Sequence, residues 1–136
     1  MNFIVDTGPL VALLDRRDRY HSWAREILEP LEPPVFTCEP VLTEACFLFR
    51  GVGGLSDAVL ELLARGLVDC GFQVEPEIGS LRTLMRKYAE VPMSLADACL
   101  VRMTELSERS AVVTLDGDFN LYRRNRRQVV PTIMPD

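Results

Sequence analysis

The chain has 136 residues, of which 48% are hydrophobic and 26% charged, with a net charge of −5. This length and composition predict one globular domain, residues 1–136, and exclude intrinsic disorder. The negative charge argues against general, field-driven binding to nucleic acids or anionic lipids, so such contacts need a local patch. No apolar run approaches the roughly 20 residues that cross a bilayer, and the N-terminus lacks a basic signal segment. We therefore expect a cytoplasmic protein.

The first half of the chain predicts strands that alternate with helices. "NFIVD" is a short apolar strand, and "TGP" is a turn whose proline suits the first turn of the helix "LVALLD". A second helix, a brief strand and a third helix follow, in "YHSWAREILEPL", "PPVFTCEP" and "VLTEACFLFR". Thr37 is the candidate N-cap of the third helix, and "GVGG" ends it.

The second half continues the same alternation. "LSDAVLELLARG" is an amphipathic helix that Ser56 begins and Gly66 ends. Strand "LVDCGFQV", helices "PEIGSLRTLMRKYAE" and "SLADACLVRMTELSER", strand "AVVTLD" and a last edge strand in "VVPTIM" follow. The apolar strands do not alternate with polar residues, which is typical of a parallel sheet covered on both faces. The predicted fold class is therefore α/β.

Two predicted strands end in an aspartate. Asp6 follows "FIV" and Asp116 follows "VVTL". In an open parallel sheet the ligand crevice lies beyond the carboxyl ends of the strands, so both acids are expected at one edge. The alternative is that each aspartate simply caps the helix that follows it.

Two helical acids have apolar neighbours three and four positions away. For Asp97 these neighbours include Met93, Leu100 and Val101, and all four neighbours of Glu44 are apolar. A buried carboxylate must be paired, hydrogen-bonded or bound to metal, so we expect a specific partner for each. A hydrogen bond to a backbone N–H is the alternative explanation for either acid.

Four carboxylates in one pocket would repel each other by about 4 kcal/mol per close pair, so the pocket must hold protons or a cation. Mg²⁺ or Mn²⁺ is the predicted cation, because no cluster of histidine or cysteine is present to select zinc. Such an ion supports hydrolysis of a phosphodiester.

The four cysteines show no C-x-x-C pair and are interpreted as reduced core residues, namely Cys38, Cys46, Cys70 and Cys99.

The segments "IVDTGPLVALLDRRDRYH", "VLTEACFLF", "LADACLV" and "VVTLDGDF", in this order, resemble the PIN domain. The likeness is strongest to VapC-type ribonuclease toxins of toxin–antitoxin pairs, and it covers nearly the whole chain. It implies a three-layer α/β/α sandwich with a mainly parallel central sheet and an Mg²⁺- or Mn²⁺-dependent endoribonuclease. It also implies a homodimer that a small antitoxin protein inhibits.

Position by position, the resemblance implies a set of site residues. The catalytic and metal-binding acids would be Asp6, Glu44, Asp97 and Asp116, with Asp118 as an auxiliary ligand through water and with Thr7 and Thr114 as orienting hydroxyls.

Other features leave alternatives open. The basic run Arg123, Arg124, Arg126 and Arg127 is either an RNA-backbone contact or a solvated surface segment. Two other functions remain: a non-catalytic PIN-like module that binds RNA or protein, and a phosphatase of the haloacid dehalogenase type. The phosphatase chemistry usually requires D-x-D, whereas the second residue after Asp6 is Gly8.

Overall fold

The computed structural model describes residues 1–136. Six α-helices span Thr7–Leu14 (α1), His21–Leu28 (α2), Glu39–Leu48 (α3), Leu55–Ala64 (α4), Ile78–Lys87 (α5) and Leu95–Leu106 (α6). Seven strands span Asn2–Val5 (β1), Val35–Phe36 (β2), Val68–Asp69 (β3), Ser110–Val113 (β4), Arg123–Arg124 (β5), Gln128–Val129 (β6) and Thr132–Ile133 (β7). Short 3₁₀ turns occupy Glu75–Glu77 and Gly117–Asn120. None of the helices has both the length and the apolarity that crossing a membrane requires.

The central sheet is parallel throughout, with strand order β3-β2-β1-β4-β7. The chain builds outward from β1 through β2 to β3 and then returns to place β4 on the other side of β1. The strand order therefore reverses between β1 and β4, which is where ligands bind in open α/β sheets. Asn2 pairs with Ser110 and Val5 with Val113, so these two strands end level with each other.

Both faces of the sheet are covered. Ile4 and Val5 are consecutive residues of β1, and Val112 and Val113 are consecutive in β4, yet all four side chains are buried. Because successive side chains of a strand point to opposite faces, helices must pack on each side. The α/β/α sandwich with a mainly parallel sheet is thus confirmed.

Two capping predictions are wrong. Thr37 is buried, and its hydroxyl donates to the carbonyl of Val5 at 2.8 Å, while Cys38 takes the N-cap position of α3. Ser56 lies inside α4 and donates to the Cys46 carbonyl, and the helix begins after Gly54, whose φ is +81°. In both cases another backbone carbonyl offers the hydroxyl a tertiary hydrogen bond, which local sequence does not reveal.

The last apolar segment does not form one strand, because its residues contribute to two different sheets. Within "VVPTIM", only Thr132–Ile133 joins the sheet, as the edge strand β7 beside β4. Val129 belongs instead to β6, which pairs with β5 in a separate antiparallel hairpin. Pro131 lies between them, consistent with its exclusion from a central strand.

Candidate active site

Asp6 is anchored at the carboxyl end of β1. It is the N-cap of α1, where its Oδ1 accepts from the Thr7 backbone N–H at 2.7 Å. Its Oδ2 accepts from the Thr114 hydroxyl, also at 2.7 Å, and only 8% of the residue is exposed. The capping explanation is therefore correct for one oxygen, but Thr114 on the neighbouring chain segment holds the other. Asp6 is fixed between β1 and the end of β4.

Asp116 lies three residues beyond the end of β4 rather than on the strand. Its backbone N–H donates to the Thr114 hydroxyl at 3.0 Å, so this hydroxyl links Asp6 to the Asp116 segment. The Asp116 carboxylate accepts from the Asp118 N–H at 2.9 Å and caps the 3₁₀ turn. The turn thereby places two more acids beside Asp6.

Asp97 is the third residue of α6 and completes a capping box with Ser94. The Ser94 hydroxyl accepts from the Asp97 N–H at 3.0 Å, and the Asp97 Oδ2 accepts from the Ser94 N–H at 3.3 Å. The same Oδ2 accepts from the hydroxyl of Tyr122 at 2.9 Å. A backbone hydrogen bond thus explains part of this acid's presence on an apolar helix.

Glu44 differs from the other acids because it is exposed on α3. The expectation that it sits on a buried face is wrong, since Phe47 and Leu48 on the same face are 57% and 51% exposed. Its Oε2 accepts from the Thr7 hydroxyl at 3.2 Å. Thr7 therefore joins Glu44 to the N-terminus of α1, where Asp6 is anchored.

These acids line one open cleft of about 560 Å³ at the point where the strand order reverses. No lysine, arginine or histidine lines the cleft, and the ion pairs of the protein join Arg17, Arg25 and Arg102 to acids elsewhere. The negative charge in the cleft therefore has no protein cation to balance it. The acidic lining residues are Asp6, Asp18, Glu44, Asp97, Asp116 and Asp118.

The electrostatic consequence is largest at Asp6. Burial raises the pKa of its carboxyl from 3.8 to about 6, against the opposing hydrogen bonds from Thr114 and Thr7, and the charges of Asp97 and Asp116 raise it further. Burial also raises the pKa of Asp97, partly offset by hydrogen bonds from Tyr122 and Ser94. The negative charges of the cleft acids therefore repel one another. A bound cation would reduce this repulsion.

The donor set suits a hard divalent cation, since it consists of carboxylate oxygens in a cleft open to water. As the side chains stand, no three Asp, Glu, His or Cys residues are grouped so that they could hold one metal ion together. Mg²⁺ usually keeps several waters and binds only one or two carboxylates directly, so a closed group of three is not required. The structure therefore brings the four predicted acids to one cleft, but their carboxylates do not converge on a single metal position.

Sequence reasoning missed Asp18, which lines the cleft, and Tyr122, which contacts one of the cleft acids. Asp18 and Tyr20 lie in the irregular segment between α1 and α2, and the Asp18 carboxylate accepts from the Tyr20 N–H at 2.8 Å. Tyr122 is fully buried and reaches Asp97 from 25 positions away. No local periodicity marks these residues, because loop contacts rather than a helix or strand place them.

The four arginines of the basic run form two pairs, of which only the first has side chains that donate hydrogen bonds to the rest of the fold. Arg123 donates to the carbonyls of Asn120 and Tyr122. Arg124 donates to the carbonyls of Thr104 and Glu108, near the end of α6. Both side chains are half-buried and serve the fold. Arg126 and Arg127 at the tip of the hairpin are exposed.

Comparison with known proteins identifies the family. The model of the PIN domain family matches residues 3–125. Among solved structures, the chain is similar to VapC20 of Mycobacterium tuberculosis, described as a sarcin–ricin loop cleaving toxin, with a TM-score of 0.78 and 21% identity over 88% of this chain and 94% of that one. No curated protein matches the sequence. The family match covers most of the chain, and its range includes Asp6, Glu44, Asp97 and Asp116. This protein belongs to the PIN domain family.

Proposed function

We propose that this protein is a metal-dependent endoribonuclease that hydrolyses RNA phosphodiester bonds. The observation that carries the proposal is the cleft itself: six acids and no basic residue line it, at the point where the strand order reverses. A binding pocket for RNA alone would need positive charge to meet the phosphates. An acidic cleft can approach a phosphodiester only when cations neutralise it.

In this proposal the four carboxylates would hold Mg²⁺ or Mn²⁺, and Asp118 would be an auxiliary ligand through water. Such an ion would supply an activated water and would stabilise negative charge on the phosphoryl group. The protein's own part is positioning, since Thr114 and Thr7 fix the Asp6 carboxylate and Thr7 also holds Glu44. Metal ligands need such outer contacts to keep their orientation. The four proposed ligands are Asp6, Glu44, Asp97 and Asp116.

The RNA backbone would be held outside the acidic cleft. Arg126 and Arg127 supply exposed positive charge, whereas the guanidinium groups of Arg123 and Arg124 already donate to backbone carbonyls. We therefore assign the RNA contact chiefly to the hairpin tip. Exposed cations outside the cleft would hold the phosphates without cancelling the acids that would bind metal.

The biological role that fits this activity is that of a toxin in a type II toxin–antitoxin pair, acting in the cytoplasm. VapC20, which shares the fold, is described as a toxin that cleaves the sarcin–ricin loop. A homodimer and an antitoxin partner belong to the same proposal. The exposed apolar side chains of Phe47 and Leu48, beside Glu44, support a protein partner at the cleft rim.

The test compares two aspartates in equivalent helix positions. Asp97 and Asp57 are each the third residue of a helix, but Asp57 is exposed on α4 and does not line the cleft. Purified wild-type protein should cleave RNA with Mn²⁺ and stop when EDTA is added. Asp97→Asn should lose this activity, while Asp57→Asn should retain it.

Two results would count against the proposal. Cleavage that survives both EDTA and Asp97→Asn would exclude a metal-dependent site here. RNA binding without cleavage by the wild-type protein, across Mg²⁺ and Mn²⁺, would favour a non-catalytic PIN-like module instead.

A further inference from the structure

Tyr122 is the largest fully buried side chain of the protein. A buried phenol needs a hydrogen-bond partner, and its only side-chain acceptor is the Oδ2 of Asp97 at 2.9 Å. A phenylalanine would pack equally well at this position without needing that partner. The hydroxyl therefore has a use that core packing does not explain.

The ring of Tyr122 is held by two other aromatic rings. Phe119 meets it edge-to-face, with centroids 5.2 Å apart and an interplanar angle of 81°, and Tyr88 meets it at 5.1 Å and 65°. Neighbours on two sides leave the ring little freedom to turn. Its hydroxyl is consequently a fixed donor to Asp97, which lines the cleft.

The two hydrogen bonds that the Asp97 carboxylate accepts, from the Ser94 backbone N–H and the Tyr122 hydroxyl, fall on one oxygen. Ser94 and Tyr122 both donate to Oδ2, and neither donates to Oδ1. The Ser94 bond is the longer, at 3.3 Å, so Tyr122 supplies the better hydrogen bond. Together they fix the rotation of the carboxylate and leave Oδ1 for a ligand.

We propose that Tyr122 is a positioning residue, which orients the Asp97 carboxylate so that Oδ1 is presented to a divalent cation in the cleft. This inference rests on the proposed metal-dependent function. It adds a residue that acts through Asp97 and does not itself touch the metal or the RNA.

Tyr122→Phe tests this directly, because it removes the hydroxyl and keeps the ring. Tyr88→Phe is the matched control, since Tyr88 belongs to the same aromatic cluster but its hydroxyl accepts from the Arg123 N–H at 2.8 Å and contacts no cleft acid. Mn²⁺ affinity is measured by titration calorimetry without RNA. Tyr122→Phe should bind Mn²⁺ about tenfold more weakly, and Tyr88→Phe should stay within about twofold of wild type.

The same substitution is also made in the Asp97→Asn background. If Tyr122 acts through Asp97, Tyr122→Phe should cause no further loss of Mn²⁺ affinity there. An equal loss in both backgrounds would mean that the hydroxyl supports the fold generally, and would overturn the proposal. The melting temperature of each metal-free variant confirms that the variants are folded.

The failure of this inference is distinct from failure of the nuclease proposal. If Asp97→Asn weakens Mn²⁺ binding and Tyr122→Phe leaves it unchanged, the metal site stands and the role of Tyr122 is refuted. If Asp97→Asn and wild type bind Mn²⁺ equally, Asp97 is no ligand, and both proposals fail. In RNA cleavage, Tyr122→Phe should raise the half-saturating Mn²⁺ concentration about tenfold and leave the maximal rate within about threefold.

Discussion

Asp6 and Glu44 line the same cleft in different environments. Asp6 is 8% exposed, and both of its oxygens are hydrogen-bonded, to Thr7 and to Thr114. Glu44 is exposed and has one hydrogen bond, from the Thr7 hydroxyl at 3.2 Å. One side of the cleft is thus rigid and desolvated, and the other is solvated and free to adjust.

This difference indicates how such a site tolerates its charge. Burial makes the ionised form of Asp6 costly, so a cation gains most by binding beside it. Glu44, in contrast, is exposed to water. In the proposed function, the fixed acid would define where the cation binds, and the adjustable acid would move to meet it.

The largest expected effect is on activity at the buried side. Asp6→Asn should reduce RNA cleavage in Mn²⁺ at least about a thousandfold, equivalent to about 4 kcal/mol of transition-state stabilisation, because it removes the most firmly held of the proposed metal ligands. Asp69→Asn is the matched control, since Asp69 also ends a parallel strand but is exposed and lies outside the cleft. Initial rates on a defined RNA measure both. Full activity in Asp6→Asn would mean that the buried acid is not needed for cleavage.

The second effect is on the pH dependence of metal-free stability. The pKa of Asp6 is raised from 3.8 to about 6 by folding, so its contribution to stability is full below about 3.8 and is lost as pH rises through about 6. Asp6→Asn should remove this loss. In EDTA, the free energy of unfolding of the variant should gain about 2.5 kcal/mol on wild type between pH 4 and pH 8.

Urea unfolding at several pH values measures this difference. Asp69→Asn should run parallel to wild type across the range. A wild-type curve that rises relative to Asp6→Asn with increasing pH would have the opposite sign, and would mean that the ionised carboxylate is stabilised by its hydrogen bonds more than burial disfavours it.

Sequence patterns predict the buried side of the cleft better than the exposed side. Asp6 follows an apolar strand, and parallel strands align their carboxyl ends, so fold topology alone brings Asp6 near the Asp116 segment. Glu44 has apolar neighbours too, but helical spacing cannot tell a core face from an uncovered one. Tyr122 carries no periodic signal, since it lies after a 3₁₀ turn and meets Asp97 only through tertiary packing.

A third test weakens the anchoring of Asp6. Thr114→Val removes the donor to the buried Asp6 Oδ2 and the acceptor for the N–H of the half-buried Asp116. Leaving these groups unpaired should lower the free energy of unfolding by about 1–3 kcal/mol. Thr83→Val on the exposed face of α5, where the hydroxyl bonds only to the Gly79 carbonyl, should change it by less than about 0.5 kcal/mol.

Chemical denaturation at pH 7 in EDTA compares the two threonine variants. Equal stabilities would mean that the hydroxyl of Thr114 does no more for the fold than one on the surface. The rigid side of the cleft would then be held by the backbone of α1 alone.

The smallest effect belongs to the exposed side. Glu44→Gln should leave the free energy of unfolding in EDTA within about 0.5 kcal/mol of wild type, because the side chain is already solvated. Glu61→Gln, on the exposed surface of α4, is the matched control and should behave the same way without metal. With Mn²⁺ added, the two should separate: Glu61→Gln keeps the full metal-induced rise in melting temperature, and Glu44→Gln loses part of it. Identical rises would remove Glu44 from the ligand set and leave the buried acids to hold the cation by themselves.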